Sequence, residues 1–133
     1  MKWKIEDPYI EITSLCNLKC IHCYNSSSSN TKKHLNISEL EQCLSYFNEI
    51  GIKQISVSGG EPLLYPNLME LLEICSFYEM EVFLVTNGTL LNNDLVSKIR
   101  KHIKYYQVSL DGDRDTNDTL RGVGSYDKMR FPH

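Results

Sequence analysis

Apolar positions along the chain switch between two spacings. Short runs at Tyr9–Thr13, Gln54–Ser58, Glu81–Thr86 and Tyr105–Leu110 predict strands. Between them apolar residues recur at helical spacing. Ile37, Leu40, Cys43, Leu44, Phe47 and Ile50 predict one helix, and Leu68, Leu71, Leu72, Cys75 and Tyr78 a second. Leu95, Val96, Ile99 and Ile103 predict a third. The punctuation agrees. Asn36 with Glu39, or Ser38 with Glu41, opens the first helix as a capping box, and Gly51 stops it. Pro66 suits the first turn of the second helix. Asn92 or Asn93 caps the third, and its basic last turn (Lys98, Arg100, Lys101) suits the macrodipole. Asn25–Asn30 reads as a polar, flexible stretch and Asp111–Gly124 as a polar loop. Ser125–Met129 reads as the opening of a fourth helix, with residues 130–133 a stop in mid-helix.

Strand and helix alternating in this way predict the α/β class, a parallel sheet with crossover helices. Ligands in such folds gather beyond the carboxyl ends of the strands. The residues with chemical potential fall there. Cysteines follow the first strand, Gly59-Gly60-Glu61 the second, Thr86-Asn87-Gly88 the third and Ser109-Leu110-Asp111 the fourth. A closed (β/α) barrel takes about 250 residues. The expectation is therefore a partial barrel, its first four strands only, in one domain over residues 1–133.

Composition narrows the function. Hydrophobic residues are 41% and charged residues 23%, with a net charge of −3, as in an ordinary soluble domain. No basic stripe marks a nucleic-acid surface. No apolar run approaches the roughly 18 residues of a membrane span, and the N-terminus lacks a signal-peptide core, so the expected location is cytoplasmic. In a reducing compartment clustered cysteines are metal ligands or redox groups more often than disulfides. Cys16, Cys20 and Cys23 are such a cluster, in a loop spanning 14–25, whereas Cys43 and Cys75 sit alone and read as buried small hydrophobes.

Structural zinc normally takes four ligands from paired cysteine or histidine sets, and no second cysteine cluster follows here. His22 abuts Cys23 and is badly placed as a fourth ligand. Three soft thiolates suit a 4Fe–4S cluster with one iron left open, the mark of a catalytic metal site. In Gly59-Gly60-Glu61-Pro62, glycines permit close backbone approach to a ligand, though Gly-Gly after a strand is equally a plain turn. Thr86 and Ser109 end apolar strands with hydroxyls, which either meet a ligand or cap a turn. Asp111 meets a ligand or starts a turn. Arg121 either meets a ligand or is a solvated loop arginine.

Cys16-Asn17-Leu18-Lys19-Cys20-Ile21-His22-Cys23-Tyr24 resembles the CxxxCxxC signature of the radical S-adenosylmethionine (SAM) superfamily, and Gly59-Gly60-Glu61-Pro62 its GGE(P) motif. Ser109-Leu110-Asp111-Gly112 with Asn117-Asp118-x-x-Arg121-Gly122 is similar to the SxDG…HDxxRG pattern of its SPASM-type, peptide- and protein-modifying branch. Asn117 replaces the usual histidine there. The likeness runs from about residue 5 to residue 129. It implies a partial barrel in which Cys16, Cys20 and Cys23 hold a 4Fe–4S cluster and SAM chelates the open iron. It also implies SAM contacts from Gly59, Gly60 and Glu61 to the amine, Arg121 to the carboxylate, His22 beside the adenine, Asp111 at the ribose, and Thr86 and Ser109 through hydroxyls. The implied partners are a reductant such as a flavodoxin or ferredoxin, a peptide or protein substrate, and a complementing chain if later strands come from elsewhere. SPASM enzymes carry auxiliary-cluster cysteines in a C-terminal extension that this sequence lacks. The competing reading is a non-catalytic iron–sulfur or metal-binding module acting with a partner.

Overall fold

In a computed structural model, residues 4–23, 27–29 and 33–129 are described. Four strands, β1 (Tyr9–Glu11), β2 (Gln54–Ser58), β3 (Glu81–Thr86) and β4 (Tyr105–Val108), form one parallel sheet in the order β1-β2-β3-β4. The register sets Tyr9 beside Ser56, Val57 beside Leu84, and Thr86 beside Val108, which brings the carboxyl ends of β2, β3 and β4 to one rim. Helices α1 (Ile37–Glu49), α2 (Leu68–Phe77) and α3 (Asn93–Ile99) make the crossovers, and α4 (Arg114–Arg121) and α5 (Ser125–Lys128) follow β4.

The helices cover one face of the sheet. Ile55, Val57, Val82 and Leu84 point into a core shared with Leu40 and Leu44 of α1, Leu68, Leu71, Leu72 and Cys75 of α2, and Ile99 of α3. Each buried leucine contributes about 1.5–3 kcal/mol by leaving water. The alternate residues of β2 and β4, Gln54, Ser56, Tyr105 and Gln107, share the other face with Phe83, whose ring lies 4.5 Å from that of Tyr105. Among the described residues, no helix is long and apolar enough to cross a membrane.

The expected strands stand, with β1 and β4 shorter at their ends. Ile12 still donates to Ser58 O, and Ser109 to Thr86 O, so both chains run on beside their neighbours without a full ladder. Asn36 is the cap of α1, its Oδ1 accepting from the amides of Ser38 and Glu39, and Gly51 takes φ +86° just past its end. Asn92 caps α3 through the amide of Leu95. Four expectations change. Cys43 is exposed on α1, while Cys75 is fully enclosed and its thiol pKa is pushed up to about 12 by burial. Pro66 precedes α2 rather than opening it, and Pro62 instead starts a 3-10 turn over Pro62–Leu64. Ile103 lies beyond the end of α3. The loop expected from Asp111 contains α4, capped by Asp113 through the amide of Thr116. Of the polar stretch 25–30, Ser27 is buried and Ser28 bridges to Leu15. Tyr24, Asn25, Ser26, Asn30 and residues 130–133 lie outside the described residues.

Leu72→Ala removes a fully enclosed side chain and should cost about 2–5 kcal/mol. Phe77→Ala, on a side chain 79% exposed, should stay within about 0.5 kcal/mol. Urea unfolding of the apo chain reads both, and equal losses would contradict the burial pattern.

Candidate functional site

The rim carries a cleft of about 200 Å³ lined by Tyr9, Cys16, Cys20, His22, Cys23, Ser58, Gly59, Gly60, Val85, Thr86, Asn87, Ser109 and Arg121. The three cysteines therefore share one cleft with Tyr9 at the start of β1, residues at the carboxyl ends of β2 and β3, Ser109 just past β4, and Arg121 of α4. Cys16 is buried, and Cys20 and Cys23 are half-buried. Burial pushes the Cys16 thiol pKa up, opposed by the Leu18 amide and reinforced by Glu61, Cys20 and Cys23. Burial also raises that of Cys20, with the Arg121 guanidinium pulling the other way. Such thiols release their protons when a metal takes their place, so loading should be proton-coupled.

The cysteine loop is held by backbone contact. On leaving β1 it passes directly beneath Gly59 and Gly60. A Cβ on Gly59 would stand 2.5 Å from Thr13 O, and one on Gly60 2.4 Å from Leu15 O. No side chain fits there. The Gly60 amide donates to Thr13 O at 2.7 Å and the Glu61 amide to Leu15 O at 2.8 Å. The glycines thus admit the chain's own backbone. On the other side, the Ile21 amide donates to Leu120 O at 2.9 Å and ties the loop to α4.

Glu61 turns inward. It is fully enclosed, and its carboxylate accepts from the Leu63 amide at 3.1 Å, the Thr86 hydroxyl at 2.7 Å and the Asn87 amide at 2.8 Å. Burial pushes its pKa up, and those donors pull it back. It braces β2 against the end of β3 and is not part of the cleft lining. Thr86 lines the cleft, but its hydroxyl proton is committed to Glu61 and its oxygen accepts from the Gly88 amide. Asp111 also stands outside the lining. Its carboxylate bridges His22 Nε2 at 3.1 Å and Arg121 Nε, linking the cysteine loop to α4. Arg121 itself lines the cleft. Asn117, standing where the resembling pattern has histidine, is fully enclosed. It accepts from the Asp111 amide and donates to Ser125 Oγ.

Sequence reading passed over Tyr9, Asn87 and Asn17. Tyr9 faces the cleft from β1. Asn87, which the sequence sets on the rim after β3 without a role of its own, bonds Asn17 in the cysteine loop at 2.9 Å. Its position between a strand end and a glycine was the available signal.

The profile of the Radical SAM superfamily matches residues 10–130. The chain belongs to that superfamily. It is similar to the Fe-coproporphyrin III synthase of Methanosarcina barkeri (35% identity over 119 residues, 87% of this chain and 30% of that protein). It is also similar to the mycofactocin maturase MftC of Mycobacterium tuberculosis (29% over 119 residues, 88% and 30%). SuiB of Streptococcus suis, solved with S-adenosylmethionine, superposes with TM-score 0.75 at 25% identity, covering 88% of this chain and 28% of that one. This radical SAM chain spans about a third of the length of the curated relatives it matches. Its cofactors are those of the superfamily, a 4Fe–4S cluster and SAM.

The donor set fits that cluster. Among the described residues, no three His, Cys, Asp or Glu side chains close round a single ion position. A four-iron cluster asks for something else, one thiolate on each of several irons, and three half-buried or buried cysteines lining one cleft fit that demand.

Gly60→Ala forces backbone apart beneath the cysteine loop and should destabilise the apo chain by about 1–3 kcal/mol. Glu61→Gln sets an amide N–H against a chain donor and should cost about 1–3 kcal/mol. Thermal or urea unfolding checks both, and wild-type stability in either variant would contradict the packing described.

Proposed function

We propose that this chain is the cofactor-binding core of a radical SAM enzyme, a single unit, acting on a peptide or protein. The observation that carries the reading is the sharing of one cleft by the three cysteines, the Gly59–Gly60 backbone and Arg121. Cys16, Cys20 and Cys23 would hold three irons of the cluster as thiolates, leaving the fourth for the amine and carboxylate of SAM. When bound, the reduced cluster would supply one electron to SAM, the one-electron chemistry from which hydrogen abstraction from the substrate would follow. The electron comes from a flavodoxin- or ferredoxin-type reductant.

The remaining roles belong to the chain. Arg121, held through its Nε by Asp111, keeps its terminal guanidinium nitrogens for the SAM carboxylate, a charge-assisted pairing. Gly59 and Gly60 offer backbone at the cleft wall for the methionyl amine. His22 stands at the rim, 43% exposed, for the adenine. Ser109 offers a hydroxyl from the end of β4. Glu61 and Asp111 act one step back, setting the strand ends and the arginine. Thr86 works chiefly through Glu61.

Peptide modification is supported by MftC, named a maturase, and by SuiB, solved with its precursor peptide SuiA. A second reading has its own observation. The Fe-coproporphyrin III synthase is 35% identical and an AdoMet-dependent heme synthase 34%, which favours a tetrapyrrole substrate.

Anaerobic reconstitution should load about four irons and four sulfides per chain, and dithionite with SAM should then yield 5′-deoxyadenosine. Cys20→Ala should abolish the product, while Cys75→Ala, on an enclosed protonated thiol, should keep it. Zinc binding without iron uptake would favour the non-catalytic module. Arg121→Ala should weaken SAM by about 1.5–3 kcal/mol in a binding titration. Unchanged affinity would remove that pairing.

A further inference from the structure

Three side chains beside the first cysteine close on one another. Asn87 Nδ2 donates to Asn17 Oδ1 at 2.9 Å, Asn17 Nδ2 to Thr89 Oγ1 at 2.9 Å, and the Thr89 hydroxyl to Asn87 Oδ1 at 2.8 Å. The Thr89 amide adds a bond to the same Asn87 oxygen at 3.0 Å. Each member of the ring donates and accepts, so each fixes the orientation of the other two. The ring joins the cysteine loop to the turn after β3.

Its geometry does more than join two loops. A primary amide has two hydrogens, and Asn17 uses one from Asn87. The same Asn87 nitrogen lies 3.9 Å from Cys16 Sγ, in a buried setting where its remaining donor needs a partner. The Leu18 amide approaches that sulfur from the loop itself at 3.5 Å. One sulfur thus meets two N–H donors, one of them set by the ring. Neither Asn17 nor Thr89 lines the cleft, so the ring reaches it only through Asn87.

We propose that the Asn17–Asn87–Thr89 ring is a positioning device that holds the Asn87 amide against the Cys16 sulfur and so raises the reduction potential of the cluster. This rests on the reading of Cys16 as a cluster ligand. The physical reason is charge. Reduction places more negative charge on the iron–sulfur unit and its thiolates, and an N–H donor aimed at a ligand sulfur stabilises that state over the oxidised one. Backbone donors alone cannot substitute for Asn87, because they are fixed by the loop, whereas its side chain couples the sulfur to β3.

The test is a redox titration of the reconstituted full chain, followed by electron paramagnetic resonance, with iron content and circular dichroism measured on the same samples. Asn87→Ala should load iron but shift the midpoint to a more negative potential. Thr89→Val, which breaks the ring and leaves Asn87 in place, should shift it the same way by less. Thr89→Ser, which keeps the hydroxyl, should hold the wild-type value. A loaded Asn87→Ala chain at the wild-type potential overturns the proposal, even if its melting temperature falls, since the ring would then be a brace alone. Where Asn87→Ala does not fold, Asn17→Ala and Thr89→Val decide, and wild-type potentials in both overturn it. A wild-type chain that takes up no iron overturns the cluster reading itself, an outcome visible before any variant is made.

Discussion

The site depends on one backbone crossing. Where the chain leaves β1 it runs under Gly59 and Gly60 so closely that their missing Cβ atoms would fall within 2.5 Å of carbonyl oxygens. Amides of Gly60 and Glu61 then bond the carbonyls of Thr13 and Leu15. The start of the cysteine loop is thereby pinned to the end of β2 by main-chain atoms alone, leaving the thiols to face the cleft. A short loop bearing three thiols has little structure of its own to hold it. Its stiffness is borrowed from the sheet.

A second layer of polar groups extends that stiffness outward. Glu61 satisfies donors from β3 and the following turn, Asp111 links His22 to Arg121, and the ring of Asn17, Asn87 and Thr89 ties the loop to the β3 end. Each of these groups is occupied by protein partners. Three of these bonded side chains, His22, Thr86 and Asn87, also line the cleft, beside the thiols, the glycine backbone, Ser109 and Arg121. Buried polar atoms are costly unless bonded, so the polar groups around the site are held by the protein itself.

Much of this was legible in the sequence. Ile55 and Val57, and Val82 and Leu84, declared their strands by alternation, and Leu40 with Leu44 declared the face of α1. The cysteine spacing and its place after a strand marked the site. Other features were hidden for definite reasons. Helix α4 is polar on nearly every face, so no apolar period announced it, only the cap Asp113. Cys43 shares the helical spacing of its neighbours yet sits at the edge of the buried stripe, where it is exposed. Above all, local pattern does not say which way a carboxylate turns. Glu61 looked like a ligand for an ammonium, but the nearby Leu63 amide and two donors at the distant end of β3 draw it inward.

The account stands on a cluster held by three thiolates with one iron left for SAM. Mössbauer spectroscopy of the ⁵⁷Fe-loaded chain addresses that claim most directly. One iron site in four should change its parameters when SAM is added, while the other three keep those of thiolate-bound iron. A spectrum in which all four sites are equivalent and indifferent to SAM would contradict it.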